Sequence, residues 1–231
     1  VYKRQGFRYK IKFKYQFKHY KDILMCKDIE NIYISTTSNT HYDLIMRCID
    51  AKKNILCEKP FVLSDEQARN VKDNLKNSNV LFLEGIAYRS HPQIKNVISL
   101  IQKNSIGKVS KIVSSFGINK GTPKKNKRLF NKDLGGGSIL DLGCYPVSIS
   151  NLIANIDNNE KNIIPDVQNV IGKIYADIDL DAQAQLTYKN GITSTISVSI
   201  NEDLENSTTI FGTNGKLIIC EPWAVSYTHL T

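Results

Sequence analysis

Glu58, Lys59 and Pro60 close a short apolar run, Asn54-Ile55-Leu56-Cys57, whose pattern predicts a buried parallel strand. A charged pair set against a proline at the carboxyl end of such a strand is poor packing material. It is well placed for chemistry, because ligands of open α/β sheets sit beyond the strand ends. The same three residues also suit a solvated turn. The lysine is the member with a catalytic use: an ammonium beside a hydroxyl that becomes an alkoxide stabilises the developing negative charge. A second constellation runs from Gly135-Gly136-Gly137 through Ser138 and Asp141 to Gly143-Cys144-Tyr145-Pro146. Three glycines allow a tight turn and close approach to a ligand. Asp141 and Tyr145 are four apart and share one face of a helix, where a phenol can give a proton and a carboxylate can accept a substrate hydroxyl. The competing reading is capping, with Ser138 as N-cap and Asp141 at N3, favoured by the helix dipole. Pro146 lacks an N–H, so the helix starts late or bends there.

Two further groups lie just past strand ends. Thr36-Thr37-Ser38-Asn39-Thr40-His41 offers hydroxyl and amide groups that either cap the next helix, through Asn39 or Thr40, or touch a bound ligand; in the capping case His41 is an ordinary first-turn residue. Glu84 through Pro92 contains Arg89 and His91, which suit a cleft, an interdomain ion pair or a helix cap.

The elements that must position these groups alternate from about residue 19. Helical spacing at Tyr20, Ile23 and Leu24, at Leu44, Ile45, Cys48 and Ile49, at Ala68, Val71 and Leu75, and at Ile94, Val97, Ile98 and Ile101 is interleaved with strand-like runs at 31–35, 54–57 and 80–83. Ser64 and Gln67 have capping-box spacing before the third of these helices. Strands of four or five apolar residues alternating with helices of about a dozen indicate βαβ units on a parallel sheet. After Gly107 the rhythm changes: a strand at 109–116, a helix at about 138–154, then only strand-like runs at 167–176, 182–188, 192–198, 207–211 and 216–220. Lys189-Asn190-Gly191 and Thr213-Asn214-Gly215 supply hairpin turns. Their alternation fits an antiparallel sheet with one solvated face. The expected class is therefore α/β, a parallel sheet followed by an α+β domain with an open, mainly antiparallel sheet, divided into 6–104 and 105–224.

The ends fall outside that scheme. Val1 through Gln5 and Val225 through Leu230 read like the two translated ends of a sequencing-library transposon, and such scars carry no fold information. On that reading 1–5 and 225–231 are non-native, residues 6–14 are open to a shift of register, and the chain is an internal fragment. The formal charge of +9 invites a nucleic-acid role, but eight basic residues and no acidic one lie within residues 1–21, so the rest is nearly neutral. A smaller cluster, Lys120, Lys124, Lys125, Lys127 and Arg128, reads as a solvated loop, although a phosphorylated ligand would suit it. With 41% hydrophobic residues in 231 the chain can bury a real core. Five cysteines show no C-x-x-C and no metal-like clustering, which fits a reduced, cytoplasmic setting. No apolar run approaches the ~18 residues of a membrane span.

Taken in order, Ile32-Tyr33-Ile34-Ser35, Asn39 and His41, Glu58-Lys59-Pro60, Arg89-Ser90-His91-Pro92 and Gly135 through Pro146 resemble the glucose–fructose oxidoreductase/inositol dehydrogenase/MocA family, over roughly residues 20 to 220. Gly143-Cys144-Tyr145-Pro146 is most similar to its dihydrodiol dehydrogenase and D-xylose dehydrogenase branch. The resemblance implies a Rossmann domain, an open-sheet C-terminal domain, and hydride transfer between NADP or NAD and the CH–OH group of a sugar, polyol or dihydrodiol. It implies Tyr145 as general acid/base with Lys59 as its electrostatic partner, favouring the phenolate. Asp141 then holds a substrate hydroxyl or orients Lys59, and Arg89 and His91 are substrate contacts. Thr36, Thr37, Asn39, His41, Glu58 and Lys59 line the cofactor, and the Lys59–Pro60 bond, often cis in such proteins, aims the lysine into the cleft. No metal is implied, nor a nucleic-acid or membrane partner; a homodimer through the outer face of the second sheet is. No G-x-G-x-x-G follows a strand here, which places the phosphate-binding turn upstream of residue 1 and leaves the fragment a poor cofactor binder. A non-catalytic dinucleotide sensor or scaffold is the alternative, and it is expected to lack Lys59 or Tyr145; both are present.

Overall fold

The computed structural model describes residues 13–124, 127–156 and 163–223. The segments read as non-native ends, 1–5 and 225–231, lie outside these, as do residues 6–12 and Lys125.

The first lobe alternates helix and strand. Helix α1 (Tyr20–Met25) precedes β1 (Asn31–Ile34), α2 (His41–Asp50), β2 (Asn54–Glu58), α3 (Asp65–Lys76) and β3 (Phe82–Gly85). The strands form a parallel sheet in the order β1-β2-β3, with Tyr33 opposite Leu56 and Leu56 opposite Leu83. One face is packed: Ile34, Ile55 and Cys57 meet Ile45, Cys48, Ile49 and Val71 from α2 and α3. Ser64 caps α3 by accepting from the Gln67 N–H at 3.2 Å, and Gln67 Oε1 accepts from the Leu63 N–H, one residue before the position of an ordinary capping box. Strand β3 begins two residues later than the apolar run Val80–Leu83. Leu81 is held instead as a lead-in, its carbonyl accepting from Ile55 N–H and its own N–H donating to the Asn54 side chain. A parallel sheet ordinarily has both faces covered. Among the described residues the second face is open, with Tyr33, Leu56 and Leu83 in register and 43–55% exposed.

The second lobe is built on α4 (Pro92–Gln102), β4 (Val109–Gly117), a π-helical turn (Ile139–Gly143) that runs into α5 (Cys144–Ala154), and β5 (Asp166–Tyr175) through β9 (Gly215–Cys220). Its six strands lie in the order β5-β6-β7-β4-β8-β9, where β6 is Ile178–Thr187, β7 Thr193–Ser199 and β8 Ser207–Gly212. Only β4 and β7 pair parallel; the other neighbours are antiparallel. The expected open, mainly antiparallel sheet is therefore present. The β5–β6 hairpin turns at Ala176-Asp177, both at positive φ, without the glycine that marks such turns in sequence; β6 accordingly starts at 178 rather than 182.

One boundary differs from the sequence reading. Helix α4 was expected within 6–104, but Ile94, Val97 and Ile101 pack with Ile112, Ile149, Leu186 and Ile210 of the second core. The apolar stripe of a helix shows that it has a buried face, not which sheet covers it.

Cys57, fully buried in the first core, has its thiol pushed from 9.0 up to about 12 by burial, with Glu84 and Glu58 adding to the effect. Cys48 moves the same way, to about 11. Because the folded values are raised, their contribution to stability is whole below about pH 9 and is lost as pH climbs toward the folded values. For Cys57 the loss is about 1.4 kcal/mol per pH unit above the unfolded value. Urea midpoints measured between about pH 9 and 11 should fall steeply, and Cys57→Ala should flatten that slope even if it lowers the midpoint at neutral pH.

Candidate active site

The chemistry-bearing residues come from three strand-end loops and one helix start. After β1 the chain forms a 3-10 turn, Ser38–Thr40, that leads into α2. Neither Asn39 nor Thr40 caps α2 with its side chain. Instead Thr40 Oγ1 donates to Thr36 Oγ1 at 2.7 Å and lies 2.8 Å from the Thr37 carbonyl. His41 is not an ordinary first-turn residue. It is 1% exposed, with Nδ1 2.9 Å from the Pro60 carbonyl and Nε2 3.2 Å from the Thr36 carbonyl. Its imidazole thus ties the loop after β1 to the loop after β2.

That second loop carries Lys59. Its bond to Pro60 is cis. Phe61, just beyond, donates its N–H to Glu84 Oε1 at 3.1 Å from the end of β3. Burial raises the Glu84 carboxyl above its ordinary value, opposed by the Phe61 N–H and by Lys59. His41 and Glu84 therefore hold the Lys59–Pro60–Phe61 segment from its two sides. Glu58, at the end of β2, accepts from the Tyr33 hydroxyl.

Across the gap between the lobes, the π-turn presents Asp141. Lys59 Nζ donates to the Asp141 carbonyl and lies 3.4 Å from its Oδ1. Arg128 Nη2 donates to the same Oδ1 at 3.0 Å. Asp141 is thus a carboxylate between two cations, with 12% of its side chain exposed. One turn on, the Tyr145 ring lies 5.2 Å below Lys59 Nζ. It is packed against Phe116, Tyr88 and Trp223, with centroids 5.3–6.1 Å apart. Among the described residues its hydroxyl makes no side-chain hydrogen bond, and no buried polar atom lacks a partner, so the O–H is not sealed inside the protein. The phenolate expected beside an ammonium is not what the geometry favours. Burial pushes the Tyr145 phenol up, and Cys144, Glu58, Asp141 and Glu84 push the same way. The ammonium lies over the ring and is bonded to Asp141, so it does not face the oxygen.

The sequence-derived site divides on these facts. Lys59, Asp141 and Tyr145 converge. Thr36, Thr37, Asn39 and Glu58 lie on the loops at the carboxyl ends of β1 and β2, with Thr37 and Asn39 exposed. His91 does not reach the cluster: its Nδ1 accepts from the Gln93 N–H at 3.2 Å and caps α4, whose first residue is Pro92. Arg89 is exposed on the wall of a cleft of about 1140 Å³ between the open face of the first sheet and helices α4 and α5. That cleft takes in Glu58 and Cys144, the chain neighbours of Lys59 and Tyr145, but not Lys59, Asp141 or Tyr145 themselves. The glycine run approaches protein rather than ligand: a Cβ on Gly136 would lie 2.6 Å from the Leu129 carbonyl, and one on Gly137 2.3 Å from Asp179 Oδ1. Sequence reasoning missed Arg128, which it grouped with a solvated lysine loop. Its separation from Asp141 has no helical or strand period that could have flagged it.

A parallel sheet of the dinucleotide-binding type joined to an open mixed sheet, with a lysine, a carboxylate and a phenol where they meet, defines a two-lobed oxidoreductase architecture. Profiles of known families agree: "Oxidoreductase family, NAD-binding Rossmann fold" matches residues 3–86, and "GFO/IDH/MocA C-terminal domain" matches 94–218. The chain belongs to the GFO/IDH/MocA oxidoreductase family. Among its relatives, a trans-1,2-dihydrobenzene-1,2-diol dehydrogenase of Xenopus tropicalis is 28% identical over 200 residues, covering 87% of this chain and 58% of that protein. A D-xylose 1-dehydrogenase (NADP(+)) of Haloferax volcanii is 25% identical over 198 residues, covering 86% and 58%. The fold matches a 3-ketoreductase of Actinomadura kijaniata solved with TDP-benzene and NADP, with a TM-score of 0.81, 21% identity, and 96% of this chain and 65% of that one covered. The chain spans less than three-fifths of the length of these curated relatives.

Proposed function

We propose that the protein containing this chain is an NAD(P)-dependent dehydrogenase acting on the CH–OH group of a sugar, polyol or dihydrodiol. The observation that carries the reading is the convergence of Lys59 with Asp141, 82 positions away, and with Tyr145 one helical turn beyond. Two dehydrogenases of such substrates among the relatives support it. The residues at the strand ends fit the ribose–nicotinamide end of the cofactor: Glu58 offers a carboxylate and Thr36 a hydroxyl where an open α/β sheet binds its ligand, with Thr37 and Asn39 on the same loop. When bound, the nicotinamide supplies or receives the hydride. Tyr145 gives its phenolic proton to the oxygen of a carbonyl substrate, or takes the proton of an alcohol. Lys59, bonded to Asp141 and lying over the Tyr145 ring, adds positive charge to the site near where that oxygen develops negative charge. Asp141, held in place by Lys59 and Arg128, accepts a second substrate hydroxyl and orients the sugar or diol. Arg89, on the cleft wall, is assigned to a more distant substrate contact, and His41 and His91 to holding the scaffold.

The reading extends to a cytoplasmic protein that pairs with a second copy through the outer face of its C-terminal sheet and takes no nucleic acid. Ile171 on β5, paired with Gln183 and more than half exposed, offers an apolar group for such a contact. Among the described residues no helix is long and apolar enough to cross a membrane.

The test is a spectrophotometric assay of the complete protein with NADP+ or NAD+ and a panel of aldoses, polyols and trans-diols. Reduction of cofactor by at least one panel member is expected, and none by any of them would refute the reading. The isolated 231-residue chain is expected to bind NADPH much more weakly than the complete protein, because its sequence contains no G-x-G-x-x-G run to hold the pyrophosphate. Titration of cofactor fluorescence measures it, and micromolar binding by the isolated chain would overturn this expectation.

A further inference from the structure

We propose that Asp179 is the positioning residue that fixes the catalytic helix start, and so sets Asp141 and Tyr145 against Lys59. This rests on the proposed dehydrogenase reading.

Asp179 stands near the start of β6, 41 positions from Ser138, which it binds. Its Oδ2 accepts from Ser138 Oγ at 2.6 Å and from the Ile139 N–H at 2.7 Å. Ser138 is fully buried, and its own side chain makes no cap bond to the helix. The capping reading of Ser138 is thus replaced: the cap is a carboxylate brought in from the sheet, and Ser138 is one of its donors. A carboxylate at this end is also favoured by the helix dipole. The other carboxylate oxygen occupies the space beside Gly137, at φ +110°, where a Cβ would lie 2.3 Å away. Gly137 and Asp179 therefore fit as a pair, and only a residue without a side chain admits that approach.

Directly after Ser138 the chain forms the π-turn Ile139–Gly143, which carries Asp141, and then the first turn of α5, which carries Tyr145. Wide π-turns are rare and cluster at functional sites. Here the widening is compatible with Pro146, which has no N–H to give to an α-helical ladder. Pro146 permits the irregular turn, but nothing in it fixes where the turn sits relative to Lys59. The Asp179 carboxylate does, because it anchors the turn's first N–H to the sheet of the second lobe. Losing that anchor frees the turn to shift as a unit and displaces Asp141 and Tyr145 together.

The experiment compares Asp179→Ala and Asp179→Asn in the complete protein. The amide oxygen of Asn can still accept from Ser138 and Ile139, so Asp179→Asn should keep most of kcat. Asp179→Ala should lower kcat roughly 100-fold, the cost of a misplacement on the order of 1 Å, while leaving KM for the cofactor unchanged. A merely structural role would move the unfolding midpoint without that kcat-against-KM split or the rescue by Asn. Unchanged kcat in Asp179→Ala, or equal losses in both variants, overturns the proposal. A crystal structure of Asp179→Ala gives a readout that needs no activity: the Lys59–Asp141 pair should be broken, and its persistence overturns the proposal. Should the unaltered protein oxidise no substrate, the dehydrogenase reading fails by itself and the Lys59–Asp141 geometry in that crystal still decides the role of Asp179.

Discussion

Replacing Tyr145 with Phe in the complete protein is expected to lower turnover about 10²- to 10⁴-fold, the range for removing a positioned general acid or base. The ring stays, and with it the contacts to Phe116, Tyr88 and Trp223, so thermal stability should barely change. Only the hydroxyl is lost. The pH dependence of the unaltered protein's proposed activity should carry the same signature. Because burial raises the phenol, the protonated form predominates at neutral pH and is ready to reduce a carbonyl. Alcohol oxidation needs the phenolate, so its kcat should climb about tenfold per pH unit from neutral toward alkaline pH, while reduction stays flat. Steady-state rates in both directions check this. An oxidation profile already flat at neutral pH, or a Tyr145→Phe variant with full turnover, would remove the phenol from the mechanism. Thiol titration in the first core limits the range, since the protein is expected to loosen above about pH 9.

The second large effect is on stability. Trp223 is the chain's single tryptophan. It is 7% exposed, its indole N–H donates to the Ser115 carbonyl at 2.9 Å, and its ring lies 5.2–5.7 Å from those of Tyr88, Phe116 and Tyr145. Trp223→Ala should cost about 3–5 kcal/mol, the usual range for truncating a large buried aromatic residue. Chemical denaturation followed by circular dichroism measures it, since the fluorescent group is gone. Activity should fall with it, because Tyr145 loses the edge contact that supports its ring. Trp223→Phe, which keeps an aromatic face but drops the N–H donor, should cost less than the Ala variant in both respects. The two substitutions therefore separate chemistry from support: Tyr145→Phe loses rate at constant stability, and Trp223→Ala loses both.

The proximity of Trp223 to Tyr145 also gives the proposed acid/base a rigid ring. Three aromatic neighbours fix the ring plane, and the bonds of Lys59 to Asp141 fix the carboxylate from the opposite lobe. Neither constraint touches the Tyr145 oxygen. A rigid side chain with an open functional atom is the arrangement that preorganised sites require.

By itself the sequence determined the kinds of element and the residue types available for chemistry. The 3.6-residue spacing of Ile45, Cys48 and Ile49 and the short apolar runs at β1 and β2 specify a βαβ lobe, because local periodicity reports directly which face is buried. Lys59, Asp141 and Tyr145 were legible because each breaks that pattern at a strand end or helix start. Only the tertiary structure decided which of the polar candidates meet. His41 turned inward as a clamp and His91 became a cap, while Arg128, assigned to a solvated loop, reached Asp141. Asp179 came from a strand far along the chain to hold Ser138 and Ile139. Apart from the His91 cap, which is made two residues along the chain, these contacts join positions 13 to 41 residues apart, and no period along the chain encodes them. The same cause moved α4 into the second core: an amphipathic stripe specifies burial, whereas the choice of partner belongs to the packing of whole lobes.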